Sequence, residues 1–134
     1  MRPDSKQWLI LSHAFNMDGR AASHTITDKI PHLLARGVKP IVLSAVTGCQ
    51  DELVEHHRLL PFSAVGLRFD LRHVLRRHVR NKAVYKTAVG LMTLLLLPLY
   101  LLEKIFIRLE PQWSWFFPAY LKGAKIIRER KPDL

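Results

Sequence analysis

The 134-residue sequence has a single cysteine, Cys49, and sets only 11 carboxylates against 21 lysines and arginines. A lone cysteine excludes an intrachain disulfide and leaves no thiolate set to close a zinc site, which fits a reducing compartment. The histidines do not fill that gap. His56–His57 and His73/His78 lack the i, i+4 spacing of a helical metal pair, and no further ligands stand near them. No metal is expected. Neither G-x-G-x-x-G nor G-x-x-x-x-G-K-[ST] occurs, so dinucleotide and P-loop chemistry are not implied and no cofactor is expected. Internal repeats and low-complexity tracts are missing too. The opening "MRPDSKQWLILSHAF" lacks the long apolar core and small-residue cleavage site of a secretory leader, so a cytoplasmic start is expected.

What the chain does have is positive charge, unevenly placed. Residues 1–67 hold 7 Lys/Arg and 6 Asp/Glu, whereas residues 68–134 hold 14 and 5. A basic second half implies an anionic partner, lipid or nucleic acid. Single-stranded nucleic acid calls for aromatics interleaved with the basic residues. Here a long apolar run separates the two, so lipid is expected and nucleic acid is not.

The first half reads as alternating strand and helix. "QWLILSHAF" (7–15) is an apolar run followed by the turn-rich "NMDGRAAS". Ala22, Ile26, Ile30, Leu33 and Leu34 then fall on one helical face, with Gly37 in the position of a C-terminal cap. Pro31 within this pattern means either a kinked helix or a helix whose regular part begins near Thr27. "KPIVLSAV" (39–46) is a second, β-branched strand, completing a βαβ unit with a parallel sheet. "LLPFSAVGLRF" is a weaker candidate for a third strand.

From Asp70, a plausible N-cap, the chain changes character. "DLRHVLRRHVRNKAVYK" is a basic amphipathic helix with Leu71, Val74, Leu75 and Val79 on one side. Thr87–Leu102 is then uncharged for 16 residues, about 24 Å of helix, short of the roughly 30 Å hydrocarbon core. Beyond Pro98, where a break is expected, Tyr100, Glu103, Lys104 and Arg108 gather on one face opposite Leu99, Leu102, Ile105, Phe106 and Leu109. That pattern favours a helix lying in the membrane interface over a true span or a buried core helix. "PQWSWFFPAY" adds ring types that concentrate at headgroup level. The candidate membrane-binding residues are Arg72, Arg76, Arg77, Arg80, Lys82, Leu94, Leu95, Leu96, Leu97, Trp113, Trp115, Phe116 and Phe117.

The loop "HAFNMDGRAASHT" is the one candidate for chemistry. A glycine turn between parallel strand and helix presents backbone N–H groups, and Arg20 adds a bidentate phosphate donor. Gly19 and Arg20 fit an ordinary exposed turn equally well.

The stretch "WLILSHAFNMDGRAASHTITDKIPHLLARGVKPIVLSAVTG" resembles the opening of GT-B glycosyltransferases, most closely the retaining glycosyltransferase family 4. The matching pieces are L-x-x-R-G at Leu33 to Gly37 and V-L-S at Val42 to Ser44. "PQWSWFFPAYLKGAKIIRERKPDL" is similar to the family's segment that leads through a helix into P-D-[VIL]-I. The resemblance implies that the loop around Asn16, Gly19 and Arg20 faces the interdomain cleft, near donor diphosphate and acceptor. Arg20 stands where many relatives carry another glycine. It further implies a membrane-associating insertion and transfer from a nucleotide sugar to a lipid-linked acceptor at the cytoplasmic face. The family's donor-binding second domain lies outside these residues, so an N-terminal fragment, inactive alone, is expected.

The fold expected is therefore α/β. Residues 1–69 form the first βαβ unit of a partial Rossmann-like parallel sheet, the N-terminal part of a GT-B domain. Residues 70–117 form a basic and apolar membrane-associating helical insertion, and residues 118–134 a helix returning to the sheet. The rival readings are a small non-enzymatic membrane protein with one transmembrane helix near 87–107, and a soluble partner-binding module.

Overall fold

The computed structural model describes residues 6–17, 21–106 and 113–133. The chain divides into two compact units, one of residues 1–59 with 118–134 and the other of residues 60–117.

The first unit is built on a parallel sheet in the order β1-β2-β3, with β1 Gln7–Leu11, β2 Lys39–Ala45 and β3 Glu55–Leu59. Leu9 pairs with Ile41, and Leu43 with His57. Central β2 is buried from Pro40 to Ala45, the near-continuous apolar run that a strand covered on both faces requires. On one face Phe15, Ile30 and Val42 form the core with Ile10, Ile26 and Val54 against them. This is the side of α1 (Ala21–Thr27) and α2 (Ile30–Ala35). The other face takes α5 (Phe116–Arg130). A Cβ added at its Gly123 would lie 3.7 Å from Leu43 and 3.9 Å from Leu9, so a small residue lets this helix sit close on the strands. Arg130 of α5 is ion-paired with Glu55 of β3. The result is a mixed α/β unit compatible with a partial Rossmann-like fold.

Two expectations about this unit are resolved and one is corrected. The helix before β2 is two helices, broken at Asp28–Lys29, and Pro31 sits in the first turn of α2, where a missing N–H breaks no intrahelical bond. Gly37 has φ +75°, and the N–H groups of Gly37 and Val38 return to Leu34 and Leu33 at 2.9 and 3.0 Å, a left-handed helix end. The third strand, however, is not "LLPFSAVGLRF" but the polar "EHHRL" at 55–59. Parallel β2 and β3 are joined by residues 46–54 without an intervening helix. At the opposite edge Asp133 N–H donates to Gln7 O at 2.8 Å, and Gln7 N–H donates to the Asp133 carboxylate at 2.8 Å.

The second unit is a helical hairpin, α3 (Ala64–His78) and α4 (Lys82–Phe106), with a short 3-10 turn at Trp113–Trp115 packed on α3. The basic helix begins at Ala64 rather than Asp70. Ser63 is its cap, its hydroxyl accepting from Gly66 N–H at 3.0 Å, and the apolar spacing runs back through Ala64 and Leu67. Asp70 is instead a buried mid-helix residue. Asn81 starts α4 by accepting from Ala83 N–H at 2.9 Å. Helix α4 then runs unbroken for 25 residues through Pro98, so the break expected there does not occur. Proline only frees the carbonyl one turn earlier, and that turn is exposed.

Candidate functional site

In open parallel sheets, ligands bind beyond the carboxyl ends of the strands. Here that edge carries the loop after β1 and the loop after β2, and Asn16 ties them together. It adopts φ +51°, a left-handed conformation that asparagine tolerates better than most residues. Its side-chain amide donates to Cys49 O at 3.4 Å, while Cys49 N–H donates to Asn16 O at 2.9 Å. Gly48 is needed beside this contact, because a Cβ there would collide with the Phe15 carbonyl. The N–H groups of Asn16 and Met17 are taken by hydroxyls of α1, Thr27 Oγ1 at 3.1 Å and Ser23 Oγ at 2.7 Å. So Asn16 positions the loop, and the two amides described there already have partners. Gly19 and Arg20 lie outside the described residues.

Nearby in the same unit, Ser44 and His56 form a buried pair that superficially suggests nucleophile and base. Ser44 Oγ lies 2.7 Å from His56 Nε2. Asp51 N–H donates to His56 Nδ1 at 3.1 Å, which makes Nδ1 an acceptor and puts the proton of the neutral ring on Nε2. The ring therefore donates to Ser44, which in turn donates to Ala45 O at 2.9 Å. A serine receiving a proton from its histidine is not activated for attack. Burial, with smaller contributions from Arg58 and His57, holds the His56 pKa below its ordinary 6.5, and its ring stands edge-on to Phe15 at 4.9 Å. This pair locks β2 to β3.

The helical hairpin has a different chemistry. None of the α4 residues is buried, and Leu94, Leu95, Leu101, Leu102, Ile105 and Phe106 are all exposed. An apolar surface of that extent normally marks a site of contact with a membrane or another protein. Beside it, residues 60–106 hold eight Lys/Arg but only two carboxylates, Asp70 and Glu103. Glu103 accepts from the N–H groups of Ala64 at 2.6 Å and Val65 at 3.1 Å, which places its charge on the positive end of α3. Asp70 is 1% exposed, and burial raises its pKa to about 7. Neither carboxylate is thus available to neutralise the outer face. Arg68 stacks over the Tyr100 ring at 5.9 Å.

The residues expected at a membrane fall mostly on this surface. Arg72, Arg76 and Arg77 are exposed on α3, Arg80 is exposed between the helices and Lys82 opens α4. Leu94, Leu95 and Leu97 are exposed, and Leu96 is half-buried. Trp113 is 64% exposed, and Phe116 and Phe117 are exposed beside it. Trp115 is the exception: at 7% exposure it is a core residue, because with three residues per turn the rings of Trp113 and Trp115 point about 120° apart. Sequence reasoning missed the capping role of Glu103, for which its place on the polar face of α4 was the available signal. Comparison with protein-family models, curated proteins and solved structures finds no match to this chain.

Proposed function

We propose that this chain is the acceptor-side, N-terminal portion of a glycosyltransferase acting on the cytoplasmic face of a membrane. It serves transfer of a sugar from a nucleotide-sugar donor to a membrane-linked acceptor, and is inactive without a donor-binding domain. The observation that carries the reading is the hairpin: an apolar α4 with no buried residue and a basic helix packed along it. Lys and Arg draw the hairpin to anionic lipid, each contributing about 1 kcal/mol near the surface, and the leucines enter the interface.

Seating in the plane of the membrane is favoured over a span. Helix α3 lies beside α4 from Glu103 to Tyr85. Carrying α4 across the hydrocarbon would take Arg68, Arg72 and Arg76 with it, each at roughly 3 kcal/mol or more. The sugar-transfer half of the reading is supported by the parallel sheet with helices on both faces and by the resemblance of residues 8–48 and 111–134 to family 4. In it the loop around Gly19 and Arg20 meets the diphosphate or acceptor, and Asn16 holds that loop in place.

The test uses the product of the native locus. Labelled sugar from a nucleotide donor should enter the lipid extract, and replacing residues 60–117 by a short linker should abolish that incorporation. Undiminished incorporation without the hairpin would remove the membrane role, and no lipid-linked product with any donor would remove the transferase role. One observation favours a second reading, a non-enzymatic single-span protein: 25 residues of helix measure about 37 Å, enough to cross.

A further inference from the structure

The closed end of the hairpin, where residues 79–81 turn the chain, holds a hollow of about 120 Å³. It is lined by Phe69, Arg72, His73 and Arg76 of α3 and by Tyr85, one turn into α4. On the same measure a single water needs only about 15 Å³, so a phosphate group has room. The hollow is separate from the apolar groove of the hairpin, which Leu71 and Leu75 line from α3. Each of those leucines precedes a pocket arginine by one residue, and so leaves the helix about 100° away from it. What the hollow can hold is therefore set by its own lining, which is cationic and aromatic.

We infer that this hollow is a binding pocket for one phosphate monoester group, held between the Arg72 and Arg76 guanidiniums. The inference goes beyond the membrane reading and does not rest on it. Of the arginines on α3, Arg68 stacks on Tyr100 and Arg77 has an interaction of its own. Among the described residues, Arg72 and Arg76 have neither a hydrogen bond nor an ion pair, and both are exposed. They stand one helical turn apart, a spacing at which like charges repel, and an anion between them turns that repulsion into attraction. The two carboxylates of residues 60–106 do not fill this role, because Glu103 caps α3 and Asp70 is buried. Each guanidinium can grip two oxygens, so the pair suits the three free oxygens of a phosphate monoester better than the two of a carboxylate. His73 stands edge-on to Phe69 at 4.8 Å, which fixes one wall. A phospholipid headgroup and a soluble phosphate ester both offer this chemistry.

The test titrates the whole chain, in uncharged detergent at constant ionic strength, with inorganic phosphate and reads the heat of binding. Binding should saturate at one phosphate per chain. Arg72→Gln with Arg76→Gln should weaken it about tenfold or more, and Arg76→Lys, which keeps the charge but not the fork, about threefold. Lys86→Gln with Lys104→Gln removes the same charge from exposed sites on α4 outside the pocket, and should change affinity less than about twofold. Vesicles then tell the two sources apart. Flotation severalfold stronger with phosphatidic acid than with phosphatidylglycerol, and weakened by the double arginine variant, assigns the pocket to a lipid headgroup. Equal flotation with the two lipids assigns it to a soluble ester. Phosphate binding that does not saturate, or equal losses for the two double variants, would overturn the pocket and leave the membrane reading standing. Saturable phosphate binding by a chain that floats with no anionic vesicle would uphold the pocket and remove the membrane reading.

Discussion

Glu103, near the end of α4, caps the first turn of α3 by accepting from Ala64 N–H and Val65 N–H at 2.6 and 3.1 Å. One carboxylate therefore fixes the register of the hairpin and satisfies two amides that a helix start leaves without partners. Glu103→Ala should destabilise residues 60–106 by about 1–2 kcal/mol, and Glu103→Gln by about half as much. Amide exchange at Ala64 and Val65 reads this directly. Unchanged protection at both positions in Glu103→Ala would show that the cap carries no weight.

The buried Asp70 gives the hairpin a pH dependence. Its pKa rises from an ordinary 3.8 to about 7 in the folded state because burial disfavours the charge. The unfolded chain releases this proton first, so the folded state holds more protons between those values. Hairpin stability should be greatest below about pH 4 and fall as pH rises to about 7, by up to about 4 kcal/mol. Asp70→Asn should flatten the slope. A parallel slope in the variant would mean that another group is responsible.

His56 works in the opposite sense in the other unit. Its pKa is lowered by burial, so its contribution is present above its ordinary 6.5 and is lost as pH falls through the folded value. Exchange at β2 and β3 amides should accelerate on acidification, and Ser44→Ala should lower their protection at neutral pH by leaving Nε2–H without its acceptor. Acid-insensitive β2 and β3 amides would contradict the assignment.

Two tryptophans two residues apart should behave differently. Trp115→Ala removes a buried ring and should cost about 3–5 kcal/mol, whereas Trp113→Ala should change stability by less than about 0.5 kcal/mol. Vesicle affinity should drop severalfold for Trp113→Ala. Denaturant unfolding and flotation, run on both variants, check the contrast; equal destabilisation by the two would contradict the placement of the rings.

The sequence was legible where burial on both sides wrote its pattern. Strand β2 reads as a strand because Ile41 to Ala45 are covered above and below, and Gly37 marks a helix end because few other residues accept φ +75°. Strand β3 was hidden because an edge strand takes its place through backbone pairing with β2. Its Glu55, His57 and Arg58 therefore stay polar. The start of α3 was misplaced because Ser63 and Asp70 are both plausible caps, and only the packing against Glu103 decides between them. Pro98 looked like a break, yet an exposed helix turn absorbs it. The loop around Asn16 was recognisable as a strand-to-helix turn, but pattern alone could not reveal that its amides were already taken by Thr27 and Ser23.

The central claim is that the hairpin lies on one face of a membrane while both ends of the sheet unit stay on the same side. Cys49 is exposed in that unit, and Lys131, also exposed, stands beyond the returning helix α5. Labelling sealed, oriented vesicles with a membrane-impermeant maleimide should modify Cys49, and in Cys49→Ser with Lys131→Cys the new thiol, from the same side. Labelling of the two positions from opposite sides would mean that α4 crosses the bilayer, and it would contradict the account.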